Sequence, residues 1–104
     1  AEEKLARNGI TSDEHRLVVT EHHVVDDGSD RTATVGGVVE NVSGDEFEYV
    51  QITVGFYDGT GAKLGDGLDN TSGLAAGGRW RFEATYFGDI SEVDTYQFLE
   101  LTGY

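Results

Sequence analysis

Cysteine is missing from all 104 residues, which removes both a disulfide framework and a thiolate metal site. The core has to hold by packing alone. Positive charge is also scarce: seven Lys and Arg stand against twenty Asp and Glu, and Lys4 and Lys63 are the only lysines. The net charge of −13 repels phosphate backbones and anionic lipid, which argues against nucleic acid and the membrane surface as partners. Long hydrophobic runs are absent too; apolar stretches reach two or three residues, far short of a membrane span or a signal peptide. The first residue is Ala1 and not Met, which fits an initiator removed or a precursor cut ahead of it.

What is present is a one-domain length with eleven aromatics and several β-branched runs. A globule of this size buries roughly 60–70% of its unfolded surface, enough for one core. The aromatics and the alternating runs set the chain apart from a disordered acidic segment. Dense carboxylates then read as adaptation to high salt, where they keep the surface hydrated while the salt screens their repulsion. At 1 M the Debye length is only about 3 Å.

The organising stretch is Val50-Gln51-Ile52-Thr53-Val54-Gly55-Phe56-Tyr57-Asp58. Val50, Ile52, Val54 and Phe56 recur at every second position, the period of a half-buried strand. Asp58-Gly59-Thr60-Gly61 supplies the turn that stops it. A second alternation puts Trp80, Phe82, Ala84 and Tyr86 on one face, with Arg79, Arg81, Glu83 and Thr85 on the other. Between and around these lie Arg16 to Val25, a strand or pair of short strands, and Thr32 to Val42, with Val35, Gly37, Val39 and Asn41 on one face. Gly36-Gly37 inside a strand marks a bulge or a close approach. Ala62 to Gly65 begins a short edge strand, Asp66 to Gly73 is polar and turn-rich, and Val93 to Thr102 closes the sheet. About seven short strands with no helical period predict an all-β, Ig-like antiparallel β-sandwich over residues 16–104. Residues 1–15 form an N-terminal lead-in or linker.

Three stretches carry a family resemblance. Val35-x-Gly37-x-Val39-x-Asn41 is similar to a strand ending in Asn, Val54-Gly55-Phe56-Tyr57-Asp58 with Gly61 stands at a naming motif, and Leu74-x-x-Gly77-x-x-x-x-Phe82 precedes an aromatic strand. Together they resemble the FxLYD domain family, Ig-like modules of prokaryotic exported proteins. Val54 and Phe56 depart from the family's Phe and Leu, and Ala76 stands where Pro is usual. The resemblance implies an accessory domain of a secreted, lipid-anchored or membrane-tethered protein, and it implies no catalytic residues.

Candidate chemistry is sparse. Paired carboxylates are the raw material of a small hydrolase, yet such chemistry needs one acid in an apolar setting, and Glu100 alone alternates with strand hydrophobes. His22 and His23 are strand neighbours pointing to opposite faces, and with His15 they read as exposed histidines and not as a metal set. Calcium has two candidate loops, Asp26, Asp27 and Asp30 in one, Asp66, Asp69 and Asn70 in the other, although neither has the EF-hand spacing. Asn41-Val42-Ser43 and Asn70-Thr71-Ser72 are glycosylation acceptors, with Asn70 the more accessible and Asn41 structural. Trp80 and the tyrosines would stack on sugars only if they faced water, and their alternation points them inward.

The sequence is thus read as a non-catalytic accessory or interaction domain of an extracellular or cell-surface protein from a halophilic prokaryote. It is monomeric, without cofactor, anchored if at all through a removed N-terminal segment, and its partner is a protein or a cell-envelope component. The alternatives are a carbohydrate- or calcium-dependent adhesion module and a small hydrolase using paired carboxylates.

Overall fold

In the computed structural model, residues 16–25 and 32–104 are described. They form six strands, β1 (Leu17–Val25), β2 (Thr32–Asn41), β3 (Phe47–Tyr57), β4 (Lys63–Leu74), β5 (Arg79–Phe87) and β6 (Thr95–Gly103), with one 3₁₀ turn, η1 (Ile90–Glu92), before the last. Two antiparallel three-stranded sheets result, ordered β1-β2-β5 and β4-β3-β6. The chain changes sheet after β2, after β4 and after β5. The all-β sandwich stands. The lead-in of residues 1–15 and the Asp26 to Asp30 loop lie outside the described residues.

The core sits between the central strands. Val50, Ile52, Val54 and Phe56 of β3 are all but fully buried, and they face Phe82 and Ala84 of β5 and Val35 and Val39 of β2. Each buried side chain of this size contributes about 1.5–3 kcal/mol, which is what holds a cysteine-free domain together. Trp80 and Tyr86 are half-buried and pack on the same cluster, Tyr86 stacking on Phe56 at 5.6 Å between ring centroids. Both alternating rows therefore point where their period placed them.

The strand count among the described residues is six: Arg16 to Val25 takes the first of its two sequence readings, and one further segment departs from its reading. Arg16 to Val25 yields one strand, bent by a bulge between Val19 and Glu21, and not a pair. At its level on β2, Gly37 leaves room that a side chain would fill: a Cβ there would collide with the Glu21 carbonyl oxygen and lie 3.0 Å from the Phe82 ring. Asp66 to Gly73, which reads as turn, is instead most of β4, paired with β3 from Tyr49 to Gly55.

The reason is edge closure. Gly67 lies against β5, where a Cβ would come within 2.7 Å of the Thr85 backbone. Beside it, the Asp69 carboxylate accepts the backbone N–H of Glu83 at 2.8 Å. Turn-like residues thus let the rim of one sheet seal onto the rim of the other. Covering an edge in this way keeps its unpaired N–H groups from other chains.

Candidate functional site

With β4 sealed onto β5, the opposite side of the sandwich brings β1 over β6. Contact there is carried by His22, whose ring meets Phe98 edge-on at 5.0 Å and Tyr96 at 5.8 Å. His22 Nδ1 and the Tyr96 hydroxyl share a hydrogen bond of 2.8 Å. Burial, and then the charge of His23, lower the His22 pKa below its ordinary 6.5, while burial raises that of Tyr96. His22 is therefore a neutral, inward-facing residue at neutral pH, and not the exposed strand histidine expected from sequence. His23 on the other face is exposed, and His15 lies outside the described residues.

Beside His22, between β1 and β6, lies a cavity of about 430 Å³, open on one side. Val24, Val35, Phe56, Ile90 and Val93 line it, together with His22, Tyr96, Asp94, Thr95 and Gln97. Val24 pairs with Val35, a core residue, so its side chain projects between the sheets, yet it is 59% exposed and borders the cavity. The far wall is built by η1. The Asp89 carboxylate accepts Ser91 N–H at 2.9 Å and the Ser91 hydroxyl at 2.7 Å, and these bonds draw the Asp89 pKa down. The turn is held to β3 where Asp94 N–H donates to the Tyr57 carbonyl at 2.7 Å. Ile90 and Val93, partly buried, are presented by that turn.

The calcium candidates are not brought together. Asp66 pairs with Lys63 at 2.8 Å, and Asp69 is taken up by Glu83 and Asn70 backbone N–H groups. Both stand on a strand and not on a loop, three positions apart, so their side chains leave opposite faces. Among the described residues no three His, Asp or Glu side chains converge as a metal site would need. Asp26, Asp27 and Asp30 lie outside those residues.

Glu100 also departs from its expected setting. A register shift between Thr53 and Val54 turns it outward, where it is exposed and accepts from Thr53 Oγ1 at 3.4 Å. The two acceptor asparagines separate cleanly: Asn70 is exposed within β4, a strand and not the loop read from sequence, whereas Asn41, at the end of β2, is fully buried. The Asn41 Nδ2 donates to the carbonyls of Asp45, Leu74 and Ala75 at 2.8, 3.1 and 3.1 Å, and its Oδ1 accepts from Ser43 N–H and Oγ. The first acceptor sequence is closed to modification in the folded chain.

Sequence reasoning missed the cavity. Its one trace is Ile90 and Val93 in a segment otherwise read as turn, since two apolar residues beside an acidic cap are unusual in an exposed loop.

No protein-family model matches the sequence, and no curated protein matches it either. Solved structures do share its fold. A DUF1425 family member from Shewanella sp. pv-4 superposes with a TM-score of 0.56 at 12% identity, over 83% of this chain and 76% of that one. IrmA from Escherichia coli does so with a TM-score of 0.50 at 15% identity, over 83% of this chain and 73% of that one. A β-glucuronidase of glycoside hydrolase family 2 overlaps through only 7% of its length, with a TM-score of 0.47, and bears on nothing further. At such identities the likeness is one of architecture: this chain is similar to small β-sandwich domains that share its layers and little of its sequence.

Proposed function

We propose that the chain is a non-catalytic interaction module of the FxLYD kind, in a secreted or cell-surface protein of a salt-adapted prokaryote. Its partner is another protein or a component of the cell envelope. The observation that carries this reading is where the acids are. Among the described residues no Asp or Glu is buried; the buried polar side chains are Thr34 and Asn41, both hydrogen-bonded. A general acid working near neutral pH needs a carboxyl pushed upward by an apolar setting, usually with a second carboxylate nearby. Among the described residues that line the cavity, Asp94 is the one carboxylate. Carboxylates spread over the surface instead favour hydration and solubility in concentrated salt.

Two measurements test the proposal. A panel of chromogenic glycosides and esters should show no turnover above buffer, and turnover that disappears in Asp94→Asn would overturn the non-catalytic reading. Protease shaving of intact cells should remove the domain; protection until lysis would overturn the surface location.

A further inference from the structure

We propose that the cavity between β1 and β6 is a binding site for a small uncharged molecule with an apolar ring or branched body and one polar group. The inference does not depend on the interaction module being extracellular. It starts from Val24. A valine that projects between two sheets ought to be among the most buried residues of a sandwich, and here it is 59% exposed, facing a space of about 430 Å³. Small-molecule sites run from about 300 to 1,000 Å³, mostly apolar with a few polar groups that fix orientation. This one has that composition: Val24, Val35, Phe56, Ile90 and Val93 supply apolar walls, and the His22–Tyr96 pair supplies a donor and an acceptor on its lining.

Charge selects the ligand class. Among the described residues no Lys or Arg lines the cavity, and the one carboxylate among them, Asp94, is exposed. An anion entering would find no counter-ion among these lining residues, inside a protein of net charge −13. A cation would have to shed water for a solvated carboxylate, a poor exchange. An uncharged body exchanges only apolar surface, and its polar group takes up the hydrogen-bonding capacity left on His22 and Tyr96.

The walls are also fixed before any ligand arrives. β3 and β2 are central strands, and η1 is pinned by Asp89, Ser91 and the Asp94 to Tyr57 hydrogen bond. A preformed site avoids the ordering cost that weakens binding elsewhere.

The test uses N-phenyl-naphthylamine, a neutral fluorophore, and its sulfonated analogue anilinonaphthalene sulfonate. The neutral probe should show a saturable rise in emission with one site per chain. Val24→Asp should weaken it by about tenfold or more, because a carboxylate would then be desolvated against it. Leu68→Asp, a change at another exposed apolar residue outside the cavity, should leave it unchanged. The sulfonate should bind more weakly than the neutral probe in high KCl, where long-range repulsion is screened. Amide chemical-shift mapping of the unmodified protein should place the shifts on Val35, Phe56 and Val93, which keeps the test sharp if Val24→Asp folds poorly. Absence of saturable binding, equal loss in Leu68→Asp, preference for the sulfonate, or shifts clustered elsewhere would each overturn the assignment.

Discussion

The side-chain amide of Asn41 donates to the main-chain carbonyl of Leu74 at 3.1 Å, tying the end of β2 in one sheet to the end of β4 in the other. The backbone repeats the tie, for Asn41 N–H donates to the Gly78 carbonyl and Gly77 N–H to the Asn41 carbonyl, each at 2.9 Å. The β2–β3 and β4–β5 connections are thereby fastened to one fully buried residue. Asn41→Ala should lower stability by about 2–3 kcal/mol in urea denaturation, since several carbonyls lose a donor where water enters poorly. Asn41→Asp should be worse, because it turns an acceptor toward three carbonyl oxygens. A midpoint unchanged in either variant would refute this role.

Phe82 is buried without residue and meets Phe98 edge-on at 6.1 Å between centroids, across the two sheets. Phe82→Ala should cost about 3–5 kcal/mol by the same denaturation measurement. A loss below about 1 kcal/mol would mean that the sheets close over the gap or that the ring does not belong to the core.

Rim closure between β4 and β5 makes Asp69 a structural carboxylate. Asp69→Ala removes the acceptor for Glu83 N–H and should cost about 1 kcal/mol, with Asp69→Asn recovering most of it. Gly67→Ala should cost more, about 1–3 kcal/mol, because the added methyl meets the Thr85 backbone and not a side chain that can move. Hydrogen exchange at the Glu83 amide is the direct readout, and it should quicken in both Asp69→Ala and Gly67→Ala.

His22 gives stability a pH dependence of defined sign. Its folded pKa lies below 6.5, so the unfolded chain takes up a proton first as the pH falls. Stability from this group is whole above about pH 6.5 and declines from there toward the folded pKa. His22→Phe should flatten that slope. Asp58 acts lower on the scale: bonds from the Thr60 hydroxyl, and from the Thr60 and Ala62 N–H groups, hold its pKa below 3.8. Its contribution is present above the unfolded value and is lost as pH falls through the folded one. Melting curves across pH check both.

Surface acid density predicts salt dependence. The melting temperature should climb as KCl rises toward molar levels, because screening relieves the repulsion of −13 net charges. A flat or falling curve would remove the halophile reading.

Much of this fold is legible in the chain itself. Alternation at Val50 to Phe56 and Trp80 to Tyr86, the Asp58 turn and the structural place of Asn41 all follow from side-chain period and turn chemistry, which are local properties. Charge, likewise, is a sum over residues. Three things needed the tertiary structure. The bulge after Val19 moves the inward face of β1 from odd to even residues, which turns His22 and Val24 between the sheets; a one-residue slip exchanges faces and leaves no mark in composition. The glycines and aspartates of β4 serve contact with β5, a partner that sequence distance hides. The cavity is walled by β1, β2, β3, η1 and β6 together, and the space that strands some seventy residues apart enclose is not a property of either.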